Sequence, residues 1–157
     1  MSKKESKAGE KLIASNRKAG FNYFLMEKFE AGLVLLGTEV KSCREGGASL
    51  SDSYCTMNHG ELWLVNAHIG PYGHAGPMMN HAPRRERKLL LHKRQIGKLD
   101  SQLREKGLTI VPVRMYFKEG RAKLEIALAK GKKSYDKRDT IRKRDNDRDM
   151  ARALRSR

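Results

Sequence analysis

The chain has 157 residues and a net charge of +16, from 34 Lys and Arg against 18 Asp and Glu. It has no apolar run near the roughly 18 residues that a membrane span needs, and its two cysteines do not form the dense set of a secreted disulfide scaffold. We therefore expect a cytoplasmic protein with no membrane partner. Its basic excess favours binding to a phosphate backbone over a merely solvated surface.

Hydrophobicity divides the chain into three parts. Residues 1–11 are rich in Lys, Ser and Glu, and we expect them to be disordered. Residues 12–130 contain nearly all the large apolar side chains, enough for one modest core, and form the predicted RNA-binding domain. Residues 131–157 form a basic tail. Counted from Lys130, the tail has twelve Lys and Arg against five Asp and Glu, so both the domain and the tail carry a basic excess.

The first predicted elements are a hairpin and a short helix. Residues 21–29 and 33–36 have the composition of strands, and Glu30-Ala31-Gly32 between them predicts a turn. A helix is then predicted from Thr38 to Arg44, with Thr38 as its N-cap. The Gly-Gly pair that follows would end this helix.

Two further hairpins carry the clearest strand signals. Residues 48–57 and 61–69 flank Asn58-His59-Gly60, and residues 109–118 and 121–129 flank a short turn that contains a glycine. Apolar and charged residues alternate along the last of these segments, as a half-buried strand requires. Strands at hairpin spacing predict a small antiparallel barrel, because closure removes the exposed edges of a sheet.

A loop and a second helix lie between these two hairpins. Residues 70–83 are rich in Gly and Pro and predict a loop. From His92 to Lys106, the apolar residues Ile96, Leu99 and Leu103 have helical spacing, and the glycine after Lys106 predicts the end of a helix.

The sequence contains no recognisable catalytic or metal-binding motif. His68, His74 and His81 are near one another, but no Cys or carboxylate lies at metal-ligand spacing beside them. The chain has no phosphate-binding loop, nucleophile elbow or zinc-protease motif. Cys43 and Cys55 have the character of small apolar core residues. The sequence therefore gives no reason to assign an enzyme activity, a metal or a cofactor.

Signals for RNA binding are stronger. Asn16-Arg17-Lys18 offers an amide and two cations ahead of the first predicted strand, and Arg84 to Lys88 has four cations in five residues. Tyr23 and Tyr135 lie beside charged residues, a combination that suits stacking on unpaired bases while cations hold phosphates. The alternative for both tyrosines is ordinary packing.

The tail has a composition that allows two states. It lacks Gly and Pro after Gly131, and Ile141, Met150 and Leu154 form a weak apolar stripe if it is helical. Such a stripe is too sparse to stabilise a free helix in water. We expect the tail to be disordered when free and to fold against a charged partner, as arginine-rich segments do on RNA.

An ordered set of short stretches resembles the SsrA-binding protein (SmpB) family. These stretches are IASNRKA at 13–19, FEAG at 29–32, GTEVKS at 37–42, LSDSY at 50–54, RERKLLL at 85–91 and AKGKKSYDKR at 129–138. The resemblance implies a mostly β fold: a small antiparallel barrel of the oligonucleotide-binding (OB-like) type, with two or three flanking α-helices and a disordered basic C-terminal tail.

The resemblance also implies a function without catalysis. The barrel is expected to bind the tRNA-like domain of transfer-messenger RNA and to deliver it to stalled ribosomes for trans-translation. The tail is expected to become helical on the ribosome and to probe the empty mRNA channel. The implied partners are this RNA and the ribosome, at the small-subunit decoding region and mRNA channel, in a delivery complex that could include elongation factor Tu.

The resemblance and the charge pattern together give two sets of candidate residues. The predicted RNA-binding residues are Asn16, Arg17, Lys18, Tyr23, Glu30, Glu39, Lys41, Ser42, Arg85, Arg87, Lys88, Lys130, Lys132 and Lys133. The predicted tail residues in the ribosomal channel are Gly131, Tyr135, Asp136, Lys137, Arg138, Ile141, Arg142, Lys143, Arg144, Met150 and Leu154.

Two other functions stay open on the sequence alone. One is a basic ribosomal protein or translation factor with an OB-like RNA-binding domain. The other is an RNA-modifying enzyme that uses the barrel as its RNA platform, although no nucleophile or base for it is visible. A structured RNA that co-purifies with the protein would favour the delivery of transfer-messenger RNA over both of these functions. Turnover of a modified nucleotide is needed to support the RNA-modifying enzyme.

Overall fold

A computed structural model describes residues 9–105 and 107–155 of the chain. Its strands are β1 Glu10–Ser15, β2 Tyr23–Leu33, β3 Ala48–Ser49, β4 Tyr54–Asn58, β5 Glu61–Val65, β6 His68–Ile69, β7 Arg87–Leu90, β8 Leu108–Lys118 and β9 Arg121–Gly131. Its helices are α1 Arg17–Asn22, α2 Gly37–Arg44, α3 Lys93–Leu103 and α4 Ser134–Arg155.

Six of the strands form a closed antiparallel ring. The order is β8-β4-β5-β7-β2-β9, and β9 pairs again with β8. Because β9 occupies one edge of β8, β1 and β4 share its other edge, β4 at Ile110 and β1 from Arg114 to Lys118. The short strands β3 and β6 pair separately. This ring with its helices confirms the predicted OB-like fold.

Apolar side chains fill the ring and also lie under one helix outside it. Leu62, Leu89, Ile110 and Leu124 are at most 1% exposed in the main core. On β9, Ala127 and Ala129 alternate with core residues and so face outward. They pack with Ala19 of α1 and Val111 of β8, which attaches α1 to the outer surface of the ring.

The turns of the two later hairpins are confirmed. The strands predicted at 48–57 and 61–69 are each interrupted, however: the first is divided into β3 and β4, and the second into β5 and β6. His59-Gly60 joins β4 to β5 and Glu119-Gly120 joins β8 to β9, with φ between 50° and 75° at all four residues. Two consecutive residues with positive φ make the turn whose twist matches an antiparallel hairpin, and glycine adopts that conformation at little cost. The loop predicted at 70–83 contains no helix or strand.

The hairpin predicted at Glu30-Ala31-Gly32 is wrong, because β2 runs straight through these residues. Gly32 lies opposite Leu90 of β7, and a Cβ atom added to Gly32 would lie 3.3 Å from the Leu90 Cβ. This glycine therefore permits a close approach between two strands and does not mark a turn. The prediction also missed β1, β7 and α1, whose segments are short.

The bounds of both predicted helices need correction. α2 begins at Gly37, and Thr38 is not its cap: the Leu36 N–H donates to Glu39 Oε1 at 2.8 Å, whereas Thr38 Oγ1 bonds to His81 Nδ1 at 2.8 Å. α3 ends at Leu103, and Lys106 lies outside the described residues. Leu99 is the buried residue of its predicted stripe.

Both ends of the barrel domain extend beyond the predicted boundaries. Glu10 and Lys11 pair with β8, so the expected disordered segment does not reach residue 11, and its residues 1–8 lie outside the described part of the chain. At the other end, Gly131 pairs with Tyr23, and the Lys132 N–H donates to Asn22 O at 2.8 Å. The tail therefore leaves the domain after residue 132.

The tail is the helix α4, and none of its residues is buried. Ile141 and Met150 are nine residues apart, roughly two and a half turns, so they lie on opposite faces of a helix. Met150 and Leu154 are four apart and share a face. The predicted common stripe of these three residues is therefore wrong, because their spacing does not follow the helical period. Disorder of the free tail stays a prediction.

Candidate nucleic-acid interface

The loop before α1 is fixed to β8 by Asn16. Its backbone N–H donates to Val113 O at 2.7 Å and its side-chain Nδ2 donates to Pro112 O at 2.9 Å. The pairing of β8 with β9 shifts register between Pro112 and Arg114, so the bulge in β8 supplies both acceptors. The amide of Asn16 thus positions the start of α1.

A basic surface forms where α1 meets the end of β9. Arg17 and Lys18 are exposed on α1, and Lys130 and Lys133 are exposed near the end of β9. Pairing of β2 with β9 places Lys130 opposite Phe24, which follows the end of α1 and Tyr23 along the chain. We call the exposed set Arg17, Lys18, Lys130 and Lys133 the α1 surface. Sequence alone could not assemble it, because its two halves are more than a hundred residues apart.

Tyr23 lies at the edge of the α1 surface. It is half-buried and packs against the apolar cluster beneath α1. It also lines a pocket of about 180 Å³ together with Asn16, Lys18 and Tyr54. Packing therefore explains one side of the ring, and the pocket leaves another side accessible.

Lys132 is a structural residue at the base of the tail. Its Nζ donates to Gly20 O at 3.0 Å and to Thr140 Oγ1 at 2.9 Å, and it lies 5.1 Å from the centre of the Phe24 ring. These contacts join α1, β2 and the second turn of α4. The sequence placed Lys132 among the RNA-binding cations, whereas in the structure its ammonium group has partners within the protein.

The cluster from Arg84 to Lys88 is divided among partners within the protein. Arg84 Nη1 donates to Asn66 Oδ1 at 2.9 Å, and Lys88 Nζ pairs with Glu61 Oε1 at 3.2 Å. Arg85 Nη2 and Arg87 Nε both donate to the Glu39 carboxylate, each at 2.5 Å. These cations therefore hold the fold together.

Glu39 and Arg87 form the centre of a buried polar network. Both side chains are 0% exposed, and Arg87 also donates to Ala67 O at 2.8 Å and to Pro83 O at 3.2 Å. Burial by itself would raise the pKa of the Glu39 carboxyl, but hydrogen bonds from Arg85, Leu36 N–H and Arg87 outweigh it and lower that pKa. The network connects α2, the loop at 70–83 and β7.

Three of the predicted RNA-binding residues are therefore interior. Glu39, Ser42 and Arg87 are each at most 3% exposed, which is incompatible with a direct RNA contact in this structure. The sequence could not show this, since Glu39 and Arg87 meet across 48 positions. Lys41, in contrast, is exposed on α2, with its ammonium 5.5 Å from the centre of the Tyr72 ring.

Glu30 lies on β2, on the outside of the ring. It accepts hydrogen bonds from the Tyr116 hydroxyl and, at 3.5 Å, from Lys118 Nζ. The bond from Tyr116 is the largest cause that lowers the pKa of Glu30, so this carboxylate is ionised at neutral pH. It lines two depressions in the surface, of about 600 Å³ and about 360 Å³.

The tail contacts the body near its base. The Arg144 guanidinium lies 5.5 Å from the centre of the Phe21 ring, and Lys132 Nζ donates to Thr140 Oγ1 at 2.9 Å. From Ile141 to Arg155 every residue is exposed. The exposed predicted tail residues are Gly131, Tyr135, Arg138, Ile141, Arg142, Lys143, Arg144, Met150 and Leu154, and Asp136 and Lys137 are half-buried.

The residues that the structure describes contain no group of three or more His, Cys, Asp or Glu side chains that could hold a metal ion. Burial raises the pKa of the Cys43 thiol to about 11, and Cys55 is buried as well, in agreement with their expected packing role. No described helix is both long enough and apolar enough to cross a membrane.

Comparisons with known proteins match nearly the whole chain. The family model described as SmpB protein matches residues 13–156. The SsrA-binding protein of Trichodesmium erythraeum is 55% identical over 151 residues, 96% of this chain and 97% of that protein. The SsrA-binding protein of Desulforudis audaxviator is 58% identical over 146 residues, 93% of this chain and 95% of that protein.

The fold is similar to a chain of known structure. That chain comes from a structure described as "tmRNA-SmpB: a journey to the center of the bacterial ribosome". The TM-score is 0.64 at 46% sequence identity, and the match covers 76% of this chain and 84% of that one. The sequence matches span both the strands of the ring and the segment that forms α4.

Proposed function

The chain belongs to the SmpB protein family, and we propose that it binds the tRNA-like domain of transfer-messenger RNA and delivers it to stalled ribosomes for trans-translation. The observation that carries this proposal is the family match, which runs from β1 into the end of the tail. The net charge of +16 gives it a physical basis, because affinity for RNA depends first on neutralised phosphates.

The α1 surface is the part of the barrel that best fits a phosphate backbone. Its four cations are exposed, and the ion pair of Lys18 with Asp52, at 3.6 Å, is exposed as well. The cluster from Arg84 to Lys88 is instead occupied by Asn66, Glu39 and Glu61. Asn16 holds α1 against β8, which gives Arg17 and Lys18 a fixed base. Tyr23 beside them offers a ring on which an unpaired base could stack.

The tail has the charge and the exposure to enter a channel walled by ribosomal RNA. In this role basic residues along α4, such as Arg138, Lys143 and Arg148, would supply attraction to phosphates. A channel filled by mRNA leaves no room for a helix, so the tail would recognise an empty channel by steric exclusion. The ordering of the tail would then be coupled to binding.

The protein itself would catalyse no reaction in this role. It would act in the cytoplasm as an RNA-binding partner, and the delivery complex could include elongation factor Tu. Neither a metal nor a cofactor is needed for recognition of this kind.

Sequencing of the RNA that co-purifies with the tagged full-length chain tests the proposal. We expect a single transfer-messenger RNA to be enriched over total cellular RNA, and the enrichment to fall in the double variant Arg17→Gln, Lys18→Gln. Enrichment of ribosomal RNA without transfer-messenger RNA would support the alternative, a basic ribosomal protein or translation factor. A pool of RNA that matches the cellular average would contradict the proposal.

A further inference from the structure

Tyr116 is a fully buried phenol on the outer surface of the barrel. Its neighbours in β8, Met115 and Phe117, belong to the main core, so Tyr116 points to the opposite side of the sheet. The side chain is nevertheless only 1% exposed. Something other than the core therefore covers it, and its hydroxyl needs a partner there.

Arg114 covers the ring of Tyr116. Its guanidinium carbon lies 4.2 Å from the ring centre. Arg114 Nη1 donates to Glu10 of β1 at 2.9 Å, and Nε donates to Glu125 of β9 at 3.1 Å. Because both carboxylates hold it, the guanidinium is fixed over the ring, and the ring is fixed between Arg114 and the sheet.

The hydroxyl of this fixed ring donates to Glu30 Oε2. Burial and the neighbouring Glu30 both raise the pKa of Tyr116, so the phenol keeps its proton and remains a donor at neutral pH. Lys118 Nζ approaches the same oxygen at 3.5 Å. The contacts of Tyr116 and Lys118 are therefore both made to Oε2 of Glu30. In the part of the chain that the structure describes, Oε1 of this half-exposed side chain is left as an oriented acceptor.

Cations lie on both sides of this acceptor. Lys28 lines the 360 Å³ depression with Glu30, and Arg121 and Lys123 line the 600 Å³ depression with it. In RNA the groups that donate to a carboxylate are the ribose 2′-hydroxyl and base amines, which lie between phosphates. An acceptor flanked by cations is therefore complementary to a nucleotide.

We propose that Tyr116 is a positioning residue, which holds the Glu30 carboxylate so that its free oxygen accepts a hydrogen bond from a ribose hydroxyl or base amine of the bound RNA. This inference rests on the proposed function, since it requires that the barrel bind RNA. It assigns Arg114, Glu10 and Glu125 an indirect part, because they fix the ring that orients Glu30.

A double-mutant cycle on the full-length chain tests the inference. The probe is a transcript of the tRNA-like domain of transfer-messenger RNA, titrated at constant salt and pH. Loss of a hydrogen bond to a charged group corresponds to about a tenfold loss of affinity or more, so we expect Glu30→Gln to weaken binding about tenfold and Tyr116→Phe by a smaller factor. In the Glu30→Gln background, Tyr116→Phe should have no further effect.

The matched control is Glu27→Gln. Glu27 is an exposed carboxylate on the same strand, paired with Lys98 at 2.8 Å, and its neutralisation should leave RNA affinity unchanged. Glu30→Asp supplies a second variant that does not touch the ring. It keeps the charge but withdraws the carboxylate from Tyr116, and it should lose affinity as Glu30→Gln does.

The pH profile separates positioning from a general effect on structure. In Tyr116→Phe the pKa of Glu30 should rise, so RNA affinity should start to fall at a higher pH than in the natural chain as the solution is acidified. Glu30→Gln should lack this step. The inference would be overturned if Tyr116→Phe lowered RNA affinity by the same factor in the natural chain and in Glu30→Gln. It would also be overturned if Tyr116→Phe left the RNA affinity of the natural chain unchanged. If the unmodified chain did not prefer the tRNA-like transcript over a random duplex, the proposed function would fail instead.

Discussion

The barrel and α4 are both rich in charge, but the charges have different partners. In the barrel, Arg87 is 0% exposed and has acceptors on three segments of the chain, and Arg114 is held by two carboxylates. In α4 no residue is buried, and the pair Arg142–Asp139 is exposed with a separation of 4.0 Å. The buried charges of the barrel hold its fold together, whereas the charges of α4 lie on an exposed helix.

This difference shows that the density of cations along a sequence does not locate an RNA-binding surface. The densest cluster of the barrel domain, from Arg84 to Lys88, is bound to Asn66, Glu39 and Glu61. The α1 surface combines cations from two distant segments, each of which is less dense in the sequence. Burial and local acceptors, which depend on the fold, decide which cations can bind phosphate.

The largest expected effect is on the stability of the barrel, in Glu39→Gln. Removing the charge of Glu39 leaves the guanidinium of Arg87 buried without its partner, which should lower the free energy of unfolding by about 3–5 kcal/mol. Urea denaturation measures this change. In the tail, Asp139→Asn should change it by less than about 0.5 kcal/mol, since that pair is exposed. Equal effects of the two variants would remove the distinction between the regions.

Comparison of the natural chain with Glu39→Gln also gives a prediction for the pH dependence of stability. The pKa of Glu39 is lower in the folded chain than in the unfolded one, so its contribution is fully present above the unfolded value, about 4.3, and is lost as the pH falls through the folded value. The difference in stability between the natural chain and Glu39→Gln should therefore shrink on acidification below about pH 4. A difference that grows instead would contradict the assigned cause.

The second effect concerns the helical state of the tail, in Met150→Pro. Proline inside a helix costs about 3 kcal/mol, so the last turns of α4 should not form. We expect peptide transfer to transfer-messenger RNA on stalled ribosomes to fall at least about tenfold, while affinity for the isolated RNA does not change. Met150→Ala is the control, because it removes the side chain but keeps the helix. If both variants lost activity equally, the Met150 side chain and not the helix would be required.

The third effect is a comparison of two cations in the barrel. Each phosphate contact contributes about −0.7 to −0.9 to the slope of log affinity against log salt concentration. Arg17→Gln on the α1 surface should make the slope less steep by about the contribution of one phosphate contact. Lys88 pairs with Glu61, so Lys88→Gln should leave the slope unchanged. RNA titrations from low to physiological salt measure both slopes. A lower slope in Lys88→Gln with an unchanged slope in Arg17→Gln would place the RNA against β7 and not against the α1 surface.

The smallest effect is expected at the base of the tail. Arg144 lies over the Phe21 ring, whereas Arg148 is one turn farther along an exposed part of α4. An exposed contact between a cation and a ring is worth about 0.5–1 kcal/mol. Arg144→Gln should therefore speed amide hydrogen exchange in the first turns of α4 by a few-fold, and Arg148→Gln should not. Equal exchange in the two variants would mean that the ring does not hold the tail.

The sequence predicted the parts of the fold that depend on local signals. The turns at His59-Gly60 and Glu119-Gly120 need two residues with positive φ, and glycine makes such turns visible in a sequence. Gly32 gave the same signal for a different reason, a close approach to Leu90 of another strand. No local pattern separates these two uses of glycine, because the second depends on tertiary pairing.

The candidate site was predictable to a similar extent. Arg17 and Lys18, which the sequence predicted to bind RNA, are exposed, and their contact with RNA stays a prediction. The burial of Arg87 follows from contacts with Glu39, Ala67 and Pro83, which only the fold brings together. Tyr116 gave no sequence signal, since alternation with Met115 and Phe117 would expose a tyrosine that Arg114 in fact covers.

The central claim is that the barrel binds the RNA and the tail recognises the stalled ribosome. It is tested most directly by deleting residues 134–157, which keeps β9 through Gly131 and the Lys132 N–H bond to Asn22. Two quantities are measured on the truncated protein: affinity for transfer-messenger RNA, and peptide transfer to that RNA on ribosomes stalled without downstream message. We predict that RNA binding is largely retained and that peptide transfer is abolished. Loss of RNA binding, or survival of peptide transfer, would contradict the account.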